Sequence, residues 1–191
     1  MAATTVPQPS PVSPALDDKA HYEVVNGQRM ETPRMGSYES DLANDLAYYI
    51  HEHFARFGRL GRVVIELLFR IQVSTNLQRR PDLAYISYDR WPRRKRPAPK
   101  DAWNVVPDLA VEVVSENNSA NEIQGKIQDY FRCGVRLVWV VYPIQAQVYV
   151  YNSPTRIDVV QRTDTLDGGE VLPGFRLPLD TLFATDDDAD Q

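Results

Sequence analysis

With 191 residues, 43% of them hydrophobic, the chain can build one domain with a real core and is short for two. Its single cysteine, Cys133, excludes an internal disulfide framework and a cysteine-rich zinc site. A net charge of -5 excludes a generally basic nucleic-acid binder, yet Arg90, Arg93, Arg94, Lys95, Arg96 and Lys100 crowd into one segment.

Residues 1–19 are rich in Pro, Ser and Ala and are predicted to be a disordered tail. They lack the basic-then-apolar order of a signal peptide, and no apolar run reaches membrane-spanning length, so a cytoplasmic protein without membrane contact is expected. A single domain is expected over 20–184, followed by a disordered acidic tail at 185–191. Within the domain, Asn26-Gly27 between two short strand-like runs predicts a hairpin. From Ser37 the apolar positions Leu42, Leu46, Tyr49, Ile50 and Phe54 follow a helical period, and Gly58 suits the stop. Strands are expected at 62–73, 81–88 and 107–115, with Gln78, Arg79 and Arg80 in a polar turn between the first two. The segment 90–104 reads as a loop.

Ser119 and Glu122 have capping-box spacing, so a helix is predicted to follow, with Ile123, Ile127, Tyr130 and Phe131 inward and Gly134 at its end. Strands at 137–142 and 147–151 come next, then a closing hairpin and a short terminal element by Phe183. The fold class is α/β, bordering on α+β: a mixed sheet with an αβββαβ core and an N-terminal hairpin, whose strand–helix–strand crossover is right-handed.

Chemistry concentrates between Val106 and Phe131. Alternation puts Asp108, Ala110, Glu112 and Val114 on one face of a strand, about 13 Å separating the two acids at roughly 3.3 Å per residue. One metal ion cannot take both. An antiparallel neighbour starting at Pro81 would bring Asp82 close to Glu112, and Lys126, on the edge of the helix stripe, could reach the same end. Two carboxylates and a lysine suit phosphodiester hydrolysis with Mg2+ or Mn2+: hard oxygen ligands hold the cation, and an ammonium stabilises developing charge. The bland readings are a surface ion pair between Glu122 and Lys126, an exposed-face Glu112, and turn-organising roles for Asp82 and Asp108. Arg93, Arg94, Lys95 and Arg96 are candidates for gripping phosphates, with Trp91 and Trp103 available to stack on bases; a solvated loop is the plain alternative.

The segments HYEVVNGQRMETP, RRPDLAYISYDRWP, PDLAVEVVSENN, GKIQDYFRCGVRLVWVVYP and VLPGFRLPLDTLF together resemble the Uma2 family, which belongs with the PD-(D/E)XK nucleases. The resemblance implies a restriction-endonuclease-like core, Asp82 as the motif aspartate, Glu112 as the strand acid, and Lys126 as a helix-borne replacement for the strand lysine, whose usual place is taken by Val114. It also draws in Asp108, and Glu39 as an acid from the first helix. The expectation is a Mg2+-dependent endonuclease-like hydrolase acting on nucleic acid, DNA first, as a homodimer. The rival is a non-catalytic binding or assembly module that keeps the fold.

Overall fold

The computed structural model describes residues 21–99 and 102–185. The tail expected at 1–19, Lys100 of the basic segment, and residues 186–191 of the acidic tail lie outside the described residues.

The chain opens with a hairpin, β1 (Tyr22–Val25) and β2 (Gln28–Glu31). Asn26 and Gly27 both take positive φ, 52° and 75°, the geometry a two-residue turn between twisted strands requires. Helix α1 (Ser37–Phe57) follows and ends at Gly58, whose φ of 94° closes the helix as its sequence position suggests. It buries Leu42, Ala43, Leu46, Ile50 and Phe54. Each of the larger side chains gains about 1.5–3 kcal/mol from leaving water.

The long strand expected at 62–73 is two strands. β3 (Gly61–Ile65) stops at Glu66, whose φ of 48° turns the chain, and β4 (Phe69–Gln72) joins a different sheet. The expected polar turn at 78–80 is also a strand, β5 (Leu77–Arg79). Its arginine reads as a surface residue, but Arg79 is buried because Glu23 and Asp129 neutralise it. β2, β1, β5 and β4 form a four-stranded sheet in that order.

The principal sheet adds β6 (Leu83–Ser87), β7 (Leu109–Val113), β8 (Leu137–Tyr142), β9 (Gln147–Ser153) and β10 (Arg156–Val160), in the order β10-β9-β8-β7-β6-β3. β3, β6 and β7 are antiparallel neighbours, and β7 runs parallel to β8 across helix α2 (Ala120–Arg132). The αβββαβ core is therefore α1, β3, β6, β7, α2, β8, with β4 and β5 inserted. The closing segment supplies β10, a separate hairpin of β11 (Thr165–Asp167) and β12 (Arg176–Pro178), and the short helix α3 (Leu179–Leu182).

Both faces of β7 are covered, which is why all five of its residues are buried. Leu109, Val111 and Val113 join a cluster with the α1 stripe and the C-terminal hairpin. Ala110 faces Ile123, Ile127 and Tyr130 of α2. Glu112 thus lies under the crossover helix, not on an open face. Among the described residues, no helix is long and apolar enough to cross a membrane.

Candidate active site

The register of β6 on β7 pairs Leu83 with Val111, so Asp82, one residue before β6, stands at the level of Glu112. Asp82 Oδ2 accepts a 2.6 Å hydrogen bond from the Val113 amide, which fixes the carboxyl against the end of β7. Ser119 caps α2 by accepting from the Glu122 amide, and the helix then delivers Lys126 to the same place. Lys126 Nζ donates to Glu112 Oε2 at 2.9 Å. Tyr130, one turn further along α2, donates its hydroxyl to Glu112 Oε1 at 2.5 Å. The expected surface pair of Glu122 with Lys126 does not form, because the lysine is 7% exposed and turned inward.

Four residues of this constellation, Glu23, Arg79, Asp129 and Tyr130, are not among the site residues expected from the sequence. Glu23 of β1 lies 3.6 Å from Lys126 Nζ, so the ammonium sits between two carboxylates. Glu23 is itself held by Arg79 at 2.6 Å and by the Arg80 amide at 2.8 Å. Arg79 in turn binds Asp129 at 2.5 Å, which returns the network to α2. Signals did exist for two of them. Glu23 is a lone acid between apolar strand residues, and a buried Tyr130 needs a hydroxyl partner one helical turn from Lys126.

Acids outnumber the buried cations here: Glu23, Asp82, Glu112 and Asp129 meet Lys126 and Arg79, and the more exposed Arg132 also binds Asp129. Burial, aided by the negative charge of Glu112, pushes the Asp82 carboxyl up to about 8. Burial also raises Glu112, against the pull of Lys126. For Lys126 burial acts downward, but Glu112 and Glu23 outweigh it and the ammonium is held charged. Lys126 is therefore a hydrogen-bond donor and a positive charge at neutral pH, not a base.

The folded protein binds a proton on Asp82 that the unfolded chain, near its ordinary 3.8, has released, so this group costs stability as pH rises from about 4 to about 8. Asp82→Asn keeps an acceptor for the Val113 amide and removes the titration. Without divalent metal it is expected to melt about 4–8 °C above wild type near pH 8, on the order of 2 kcal/mol, the gain vanishing near pH 4. Differential scanning calorimetry at the two pH values reads it.

Asp82, Glu112, Lys126 and Glu39 line one cleft with about 50 Å3 of free space. Glu39 lies in the first turn of α1 and folds back over Gly36, where an added Cβ would clash with its Oε2. Asp108 belongs elsewhere. Its carboxylate accepts from the Ser87 amide at 2.8 Å and from Arg90 at 2.9 Å, with Arg136 at 3.5 Å, clamping the opposite end of β7.

The basic loop is also distant. It leaves the far end of β6, about 16 Å from Asp82 at roughly 3.3 Å per residue. Arg93, Arg94 and Arg96 line a separate surface depression, and the Lys95 ammonium lies 4.1 Å from the Trp91 ring centre. Trp91 and Trp103 are not available to stack on bases. They meet edge to face at 5.1 Å and are 9% and 4% exposed, with Trp103 stacked on Phe69.

A divalent cation fits this donor set in one respect and not in another. Among the described residues no group of three or more His, Cys, Asp or Glu is placed to hold a metal. Mg2+, however, is commonly bound through one or two carboxylates with waters and substrate phosphate completing its shell. Asp82 and Glu112 supply that number, and a bound cation would favour the ionised form of both.

No curated protein matches the sequence. The fold is similar to a crystal structure of a "putative nuclease belonging to DUF820" from Anabaena variabilis ATCC 29413, with a TM-score of 0.70 at 18% identity, over 85% of this chain and 89% of that one. The sequence profile of Uma2, described as "Putative restriction endonuclease", matches residues 12–180. The protein of residues 1–191 thus belongs to the Uma2 family.

Proposed function

We propose that this chain is a divalent-metal-dependent phosphodiester hydrolase acting on nucleic acid. The observation that carries the reading is the buried Lys126 ammonium 2.9 Å from Glu112, at the floor of a cleft that Asp82 also lines. Asp82 and Glu112 would hold Mg2+ or Mn2+. When bound, the cation supplies Lewis-acid polarisation of the phosphodiester. Lys126, kept charged by two carboxylates, stabilises negative charge developing on the phosphoryl oxygens and orients water by hydrogen bonding. Tyr130 fixes the Glu112 rotamer by donating to its other oxygen. Cutting a duplex needs two such sites, so a homodimer belongs to the proposal.

The test is cleavage of single- and double-stranded DNA and RNA with Mg2+ or Mn2+ against EDTA. Metal-dependent cleavage is expected for DNA first. A second reading, a non-catalytic module that keeps the fold, has one observation in its favour: both Glu112 oxygens already have protein partners. It requires that Mn2+ titrated into wild type and Asp82→Ala give the same calorimetric trace, with no heat of site binding in either. That result, together with no cleavage, would decide for the module.

A further inference from the structure

The cleft has a second, positively charged wall that the carboxylates do not explain. Arg34, Arg80 and His21 line it beside Glu39 and Asp82. Arg80 is held by backbone, not by an acid: its Nη1 donates to the Glu66 carbonyl at 2.7 Å and its Nε to the Tyr22 carbonyl at 3.4 Å. Among the described residues it makes no ion pair with a carboxylate; Glu66 and Glu23 act on it only through space, and its guanidinium lies 5.9 Å from the Tyr22 ring centre. Neutral acceptors aim a guanidinium without cancelling its charge. Arg34 is exposed at the cleft mouth and makes no ion pair among the described residues.

Backbone strain sits at the same wall. Glu66 adopts φ of 48°, a left-handed conformation that non-glycine residues rarely enter. In that conformation its carbonyl meets Arg80, its amide donates to the Asp82 carbonyl at 3.0 Å, and its Oε1 accepts from the Met35 amide at 3.2 Å. The same oxygen lies 3.4 Å from His21 Nε2. One strained residue therefore ties the arginine wall to the Asp82 backbone. Burial, with the charge of Arg80, lowers the His21 pKa, so the imidazole is a neutral member of the wall.

We propose that Arg34 and Arg80, with His21 beside them, form a phosphate subsite that seats a backbone phosphate of the nucleic-acid strand next to the carboxylate pair. This deepens the hydrolase reading and rests on it for the strand, while the anion site itself does not. Two guanidiniums without an ion-pair partner among the described residues, beside an acidic floor, suit a phosphate that must approach carboxylates which would otherwise repel it.

The experiment has two arms on the full chain, comparing wild type, Arg34→Gln and, as a remote charge control, Arg93→Gln. In the first, inorganic phosphate is titrated in Mg2+ buffer and followed by 31P NMR. In the second, a labelled DNA oligonucleotide is titrated with Ca2+ in place of Mg2+ and followed by fluorescence anisotropy at several salt concentrations. Arg34→Gln is expected to weaken binding about fivefold or more in both arms and to lower the salt slope by about 1, while Arg93→Gln leaves the phosphate arm unchanged. Equal binding by Arg34→Gln and wild type in both arms, no phosphate binding by wild type, or an equal loss in Arg93→Gln would overturn the subsite. Phosphate binding lost in Arg34→Gln, with no cleavage by wild type, keeps the subsite and removes the hydrolase.

Discussion

Glu112→Gln is expected to abolish metal-dependent cleavage, by at least about 10²-fold, without unfolding the protein. The substitution is nearly isosteric. A glutamine oxygen can still accept from Lys126, and its amide can donate to the Tyr130 hydroxyl, so the two hydrogen bonds at 2.9 and 2.5 Å have replacements. Lys126 keeps Glu23 as a charged neighbour. What is lost is one of the two negative charges offered to the cation. Single-turnover cleavage, with a melting curve on the same sample, separates the outcomes. A folded Glu112→Gln protein that cuts at the wild-type rate would place the chemistry elsewhere.

Lys126→Met is expected to remove cleavage and also to destabilise the chain by about 3 kcal/mol, or about 6–12 °C. Methionine retains most of the lysine stem's packing, so the loss reports the charge. Because the folded pKa of Lys126 lies above its ordinary 10.5, its pairing stabilises fully at neutral pH and is lost only as pH climbs through the folded value. In the variant, Glu112 keeps only Tyr130, and its buried charge is unopposed. A proton on Glu112 relieves this, so the deficit relative to wild type should shrink as pH is lowered from about 8 to about 5. Denaturant melts across that range read the trend. A deficit that stays flat with pH would mean that Lys126 acts by packing alone.

The sequence displayed the parts of the fold that local rules control. Asn26-Gly27 marked its hairpin, Ser119 its helix start, Gly58 and Gly134 their helix ends. Alternation in β7 separated the α1-facing residues from Glu112 correctly. The failures share one physical cause, which is partnership at long range. Arg79 looked like turn polarity because nothing near it in sequence reveals that Glu23 and Asp129, both about 50 residues away, neutralise it. Trp91 and Trp103 looked like stacking platforms because the loop between them hides that they pack on each other. The break at Glu66 was invisible, since a glutamate in left-handed conformation has no propensity signal. Asp82 and Lys126 meeting at Glu112 could be argued from strand order and helix phase, whereas Glu23 required knowing that a second sheet docks there.

Carrying the lysine on α2 while the acid rides on β7 makes their separation a property of a helix–sheet seam. Two groups on one strand move together, since the pleat fixes their spacing. Here the spacing is set by Ile123 and Ile127 against Ala110 and Val138. A shift of about 1 Å between reacting groups can cost about 10²-fold in rate. On the proposed hydrolase reading, trimming one methyl group at Ile127, with no polar atom altered, should thus slow turnover far more than it loosens the fold.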